Sequence, residues 1–357
     1  MNEYEPDPDD ILASTQDSQM TYFAFARSSG QPPKQPSAKA KGKSRKRSVK
    51  HRQAAKAAAS SGLPNVLAGR YQIERLVGAG GMGAVYRARD LLLEQFGDPD
   101  PYVALKMMND EYSDAPDASA LLFSEFVLTR RLRHPNIARV HSFEVDTQWK
   151  QAFITMELMR GLTLDKLLCE RPMGLPWQEL RDLVLPLLDA LAYSHACKVI
   201  HGDVKPSNVM LCEDGVRLFD FGLSQVGGTG MCSLPQLDRG RLRAWTPMYA
   251  APELLDWGVL SVSSDVFAVA CVIYEMASGK HPFKRFTSVE GSYTLLNEKL
   301  QAPRHLPRRC WSVLRRALSL DPLARPPTLA PLQAAFSQPG SLFDVLLSRC
   351  KRRSVTG

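Results

Sequence analysis

From residue 199 to residue 210 the chain reads Val-Ile-His-Gly-Asp-Val-Lys-Pro-Ser-Asn-Val-Met. Within it stand an acid (Asp203), a cation two residues on (Lys205) and an amide oxygen five residues on (Asn208), flanked by apolar pairs that read as short strands. This constrains the fold more than any other stretch, because three polar groups in one turn are useful only on a scaffold that keeps them in place. It reads as a catalytic loop. His-Gly-Asp also occurs in ordinary turns, so the companions of the stretch, and their order, decide.

Upstream lie Gly78-x-Gly80-x-x-Gly83-x-Val85 and Val103-Ala-Leu-Lys106; downstream lie Asp220-Phe-Gly222 and Ala251-Pro-Glu253. With these motifs in this order, the chain resembles the eukaryotic-like serine/threonine protein kinases over residues 71–336. The run Gly-Ala-Gly-Gly-Met-Gly-Ala-Val-Tyr at 78–86 is similar to their bacterial branch. The resemblance implies an α+β, bilobal protein-kinase fold. A small, mostly antiparallel β N-lobe with one regulatory helix (70–158) would precede a larger helical C-lobe (159–337), with an acidic then basic tail at 1–69 and a short basic tail at 338–357.

The residue pattern agrees with that division. Strands are expected at 72–77, 84–89 and 102–106, and the insertion 91–101, ending in Gly-Asp-Pro-Asp-Pro, lengthens a hairpin without carrying catalysis. Residues 117–132 have helical spacing. Leu121, Leu128 and Leu132 share a stripe, and Glu125 sits on it. A carboxylate there usually bends out to solvent; the resemblance instead implies an ion pair with Lys106. Strands at 140–143 and 152–158 lead to a link at 157–164, and Pro176 opens a long helix to about His195. A buried helix, 266–277, is expected with Asp265 as its cap, and further helices to about Phe336. The resemblance makes Arg325 the buried partner of Glu253.

Phosphoryl transfer needs two reactants positioned and phosphate charge neutralised. Gly78, Gly80 and Gly83, lacking Cβ atoms, let backbone amides approach phosphates, with Ala79, Gly81 and Met82 in the same turn. Dinucleotide folds also use Gly-x-Gly-x-x-Gly, but there it opens a helix, whereas here it joins two strands. The resemblance implies that Val85, Ala104 and Met210 sandwich an adenine, that Met156 is the gatekeeper, and that Glu157 to Met159 offer backbone hydrogen bonds to the base. Lys106 would carry the charge for the α and β phosphates; a Lys ending an apolar strand otherwise merely snorkels. Asn208 and Asp220 would be the metal pair for Mg2+, with Mn2+ as an alternative, since such ions take few protein oxygens and complete their shell with phosphates and water. Asp203 is the candidate base, Lys205 would steady the transferring phosphate and mark Ser/Thr specificity, and Thr246 would bridge the two. One departure stands out: Gly202 replaces an Arg that in many relatives grips a phosphate on the activation loop. Regulation independent of that phosphorylation is expected, although the loop from 222 to 245 holds Ser224, Thr229, Ser233, Arg239, Arg241 and Arg243.

Charge separates the tail from the rest. Residues 1–17 carry six acidic side chains and no Lys or Arg, whereas residues 18–70 carry twelve Lys or Arg and no acid. Pro-rich and poor in apolar residues, 1–69 reads as disordered, apart from the apolar island Tyr-Phe-Ala-Phe-Ala at 22–26, which could dock on the folded domain, and a short helical stretch at 54–59. Seven scattered cysteines without a zinc spacing suit a reducing cytoplasm. No stretch approaches the roughly 20 apolar residues of a membrane span, and the acidic start argues against a secretory signal.

The expectation is therefore a cytoplasmic Ser/Thr protein kinase that uses ATP and magnesium on protein substrates. Itself would be among them: Ser48 and Ser354 both follow basic residues and read as autophosphorylation or pseudosubstrate sites. Alternatives are a pseudokinase scaffold, opposed by the completeness of Lys106, Glu125, Asp203, Asn208 and Asp220, a small-molecule kinase of similar fold, and a kinase whose basic tail tethers it to nucleic acid or an anionic membrane.

Overall fold

The apolar alternation that begins at Tyr71 forms strands, and the strands form one antiparallel sheet. The computed structural model of the chain describes residues 64–80, 83–108, 118–221, 225–226, 247–255, 258–287, 293–296 and 300–338. The described residues divide into two units: those within 64–133 and 138–162 make the first, and the remainder the second.

The first unit is built on β1 (Val66–Leu67), β2 (Tyr71–Ala79), β3 (Gly83–Asp90), β4 (Tyr102–Met108), β5 (Val140–Asp146) and β6 (Gln151–Glu157), in the spatial order β1-β2-β3-β4-β6-β5. β1 lies ahead of the start expected at residue 70. It pairs with β2, and the Ala68 N–H donates to Asp146 Oδ2 at 2.6 Å. Because side chains alternate along a strand, the sheet has two distinct faces. Leu105, Met107, Val103, Phe153, Ile73, Tyr71, Ala88 and Leu67 form one buried cluster. On the other face, helix α2 (Ala118–Thr129) sets Leu122 and Phe126 against Ala152 and Ile154. Each fully buried apolar side chain of this size contributes about 1.5–3 kcal/mol. Within the insertion 91–101 a short helix α1 (Leu91–Gln95) forms, because Asp90 caps it by accepting the N–H groups of Leu92 and Leu93.

The second unit contains α3 (Leu164–Glu170), α4 (Trp177–Ala196), the short strand β7 (Val199–Ile200), the hairpin β8 (Val209–Cys212) and β9 (Gly215–Leu218), α5 (Val262–Ser278), α6 (Arg308–Ala317) and α7 (Ala330–Ser337). α5 is its centre, with Val266, Phe267, Val269, Cys271, Val272, Ile273 and Met276 all buried. Ser261 and Ser264 close a capping box at its start. Gly279 ends it at φ +72°, where a Cβ would come within 2.1 Å of the Pro172 carbonyl oxygen. Glycine is therefore required at that position. The helix starts at Val262 rather than at 266, so Asp265 is not its cap.

Candidate active site

In the first unit, the strand register places the predicted residues on one sheet face. Val85 is opposite Lys106 in the β3–β4 pair, and Ala104 is opposite Met156 in the β4–β6 pair. Ala104 and Lys106 are two apart on β4, so all four share the face that helix α2 covers. Glu125, on α2, thereby meets Lys106. The Lys106 Nζ lies 2.6 Å from both Glu125 oxygens, and the residues are 8% and 9% exposed. A buried pair like this is costly to break, about 3–5 kcal/mol when one partner is removed. The β2–β3 turn is drawn together at Gly78↔Val85 and Ala79↔Ala84, and the Gly80 N–H donates to Gly83 O at 2.9 Å. A Cβ on Gly83 would lie 2.3 Å from Met107 O, while one on Gly80 would meet nothing within 4 Å. Gly83 is thus fixed by packing, whereas among the described residues none would obstruct a Cβ at Gly80. Gly81 and Met82 lie outside the described residues. The Glu157 N–H donates to Arg139 O at 2.9 Å; Met159 follows β6, half-buried.

In the second unit, the loop after β7 brings together Asp203, Lys205 and Asn208. Lys205 Nζ sits 2.7 Å from Asp203 Oδ2. Asn208 donates from Nδ2 to the Asp203 carbonyl at 2.9 Å and to its carboxylate at 3.3 Å, which leaves Oδ1 for another partner. Burial pushes the Asp203 carboxyl above the ordinary range, and the Lys205 ammonium opposes that rise. His201 is wholly buried, and burial lowers its pKa. Its Nδ1 accepts the Asp203 N–H and its Nε2 faces Phe219 O at 3.2 Å, which fits a neutral ring protonated on Nε2. Asp220 has the left-handed φ of +65°, and Phe221 behind it packs its ring 4.5 Å from that of His201. Met210 sits on β8 opposite Arg217. Thr246 lies outside the described residues.

Asp265 holds this loop from below. One carboxylate oxygen accepts the His201 N–H at 2.8 Å and faces His195 Nε2 at 2.8 Å; the other accepts the Gly202 N–H at 2.9 Å. To present that N–H, Gly202 takes φ +82°. The signal was in the sequence: Ser261-x-x-Ser264 is a complete helix start, which leaves Asp265 as the fourth residue of an apolar helix and in need of donors. Tyr249, whose hydroxyl donates to Glu275 at 2.5 Å, gave no such signal. Arg325 and Glu253 meet as expected, Nη1 to Oε1 at 2.7 Å and Nη2 to Oε2 at 2.8 Å, with the guanidinium also donating to Ser319 O.

The protein kinase domain family model matches residues 71–337. The serine/threonine-protein kinase PknA of Mycobacterium tuberculosis is 32% identical over 241 residues, covering 66% of this chain and 52% of that protein. PkaA of Streptomyces coelicolor, also a serine/threonine-protein kinase, is 30% identical over 266 residues, 72% of this chain and 48% of that one. The chain thus spans about half the length of the curated relatives it matches. The crystal structure of the M. tuberculosis PknI kinase domain superposes with a TM-score of 0.55 at 26% identity, over 77% of this chain and 97% of that domain.

Proposed function

The chain belongs to the protein kinase domain family, and from that premise we propose that it transfers the γ-phosphate of ATP to Ser and Thr hydroxyls of protein substrates, itself included. The observation that carries the reading is the loop in which Asp203 is bound by Lys205 at 2.7 Å and braced by Asn208 at 2.9 Å. A scaffold that no longer catalysed would have no use for a buried carboxylate held against a cation at desolvation cost.

Among the described residues no group of three or more His, Cys, Asp or Glu could hold a metal ion alone. That fits an ion that takes Asp220, Asn208 Oδ1 and phosphate oxygens together, as magnesium does. When bound, the metal-nucleotide supplies the transferable phosphoryl group and neutralises its charge. The protein's own residues do the remainder. Lys106, fixed by Glu125, holds phosphate oxygens, and the Gly80 backbone, with open space where a Cβ would be, lies alongside them. Val85, Ala104 and Met210 pack the base, with Met156 beside it. Asp203 Oδ would accept and align the substrate hydroxyl and take its proton as the new O–P bond forms and the bond from the γ-phosphorus to the β-phosphate oxygen breaks, with ADP as the leaving group. Lys205 then has a second task, offsetting charge on the transferring group. Thr246 would bridge Asp203 and Lys205 from the segment that leads to Glu253.

The test is transfer of labelled γ-phosphate to the chain itself and to a basic test protein, comparing wild type with Asp203→Asn. Label on Ser and Thr in the wild type and at least ~100-fold less in the variant is the expected result. Equal labelling, or none with nucleotide still bound, would overturn the reading.

A further inference from the structure

Helix α2 reads Ala-Ser-Ala-Leu-Leu-Phe-Ser-Glu-Phe-Val-Leu-Thr and carries one charge, Glu125. Two of its stripes are accounted for: Leu122 and Phe126 pack on the sheet, and Glu125 reaches Lys106. The outward position between them would ordinarily be polar. It is Phe123, 42% exposed.

Phe123 does not stand alone. Its ring meets Phe143 of β5 edge-on at 5.2 Å and lies 6.5 Å from Phe126, which is in turn 6.0 Å from Phe143. Val145 is two residues beyond Phe143, hence on the same strand face, and is 52% exposed. Arg130, exposed at the end of α2, lies over the Phe126 ring at 5.5 Å. Isolated exposed apolar residues need no explanation; three rings in mutual contact with a valine beside them make a surface that favours an aromatic partner.

The covering segment is suggested by where the chain enters. The leader joins the sheet at β1, and Ala68 is hydrogen-bonded to Asp146, the residue next to Val145. Asp146 and Val145 point to opposite faces of β5, so the leader starts at the same point along β5 as the patch but on the other sheet face, and has to return around the sheet edge. Among residues 1–63 large aromatic residues cluster only at Tyr22, Phe23 and Phe25, preceded by six acidic side chains that complement Arg130 at the far end of the patch. Residues 27–63 could span more than ~100 Å if extended, far more than the return requires. A tether of this kind gives a local concentration on the order of millimolar, so a weak contact suffices.

We propose that residues 22–25 of the leader dock on Phe123, Phe126, Phe143 and Val145 of the same chain, and so hold helix α2 with Glu125 against Lys106. Only the consequence for rate rests on the phosphotransfer reading; the contact does not. It is tested in the full chain with the photo-cross-linker p-benzoylphenylalanine replacing Phe25. The expected cross-links fall within one chain, in peptides covering 118–129 and 140–146, and disappear in Phe123→Gln. Cross-links elsewhere, none, or only between two copies would overturn the proposal. In the Phe23→Ser/Phe25→Ser double variant, amide hydrogen exchange of 118–129 should quicken by about tenfold while α5 is unaffected, and kcat should fall severalfold. Unchanged exchange would refute the coupling to α2. If neither wild type nor variant transfers phosphate, the cross-link and the exchange still decide, and the failure belongs to the phosphotransfer reading alone.

Discussion

Asp203 has to be a carboxylate to accept a proton, yet burial favours its neutral form. Burial raises its pKa, and Lys205, 2.7 Å away, pulls it back. The sign of the Lys205→Met effect follows. Without the ammonium the Asp203 pKa climbs further, so a larger share is protonated at any given pH, and the acid limb of kcat/KM moves to higher pH. Loss of phosphate steering would lower the plateau but leave the limb in place, so the pH–rate profile separates the two contributions. An unshifted limb would show that Lys205 does not tune the base. Gly202 carries a second prediction at this scale. Its φ of +82° is the left-handed region, where a residue with a Cβ costs about 1–2 kcal/mol. Gly202→Arg should therefore lower the thermal midpoint by several degrees, roughly 2–4 °C per kcal/mol for a domain of this size, and should not raise the rate of transfer. A several-fold rise in initial rate would mean that the arginine found a phosphate to bind.

At the scale of elements, the loop is only as firm as helix α5 beneath it. Asp265, 1% exposed, is the single acceptor for two loop N–H groups. Asp265→Asn replaces one oxygen with a donor, so one buried N–H loses its partner at a cost of about 1–3 kcal/mol. Initial-rate measurements should show kcat reduced at least ~10-fold, with KM for ATP little changed, because the residues proposed to meet the nucleotide's phosphates and base in β2–β4 are untouched. A KM effect without a kcat effect would contradict the positioning role. The same element shows what could be read in advance. Strand alternation and the ordered motifs marked the sheet, the Lys106–Glu125 pair and the Asp203 loop, because those signals are local or come in fixed order. Asp265 reads as a cap because a carboxylate stands before an apolar run, yet Ser261 and Ser264 fill that role. β1 was missed because a two-residue strand has no period of its own, and α1 because its start depends on Asp90, which Arg70 also holds. Tyr249 and Glu275 are far apart in sequence and share no motif, so only the fold brings them together.

Across the whole molecule, charge is distributed by segment rather than by fold. The chain carries a formal net charge of +8, and residues 34–56 alone hold ten Lys or Arg and no acid, so their deletion takes the total to −2. A run of cations releases counterions when it meets a polyanion, and the release makes affinity fall linearly with salt on a log–log plot. If every one of the ten took part on duplex DNA, the slope would be about −9. The expected result is measurable binding of the full chain to a duplex or to anionic vesicles at low salt, with a slope no steeper than that limit, and no binding after deletion of 34–56. Transfer of phosphate to a soluble peptide should keep its kcat and KM in the deletion, because no catalytic residue lies in the segment and its removal leaves residues 22–25 in the chain, with enough leader still to reach β5. Binding that survives the deletion would place the contact on the folded units. A deletion that lowered kcat on the soluble peptide would instead show the basic run acting on the catalytic unit itself, as an activator rather than a tether.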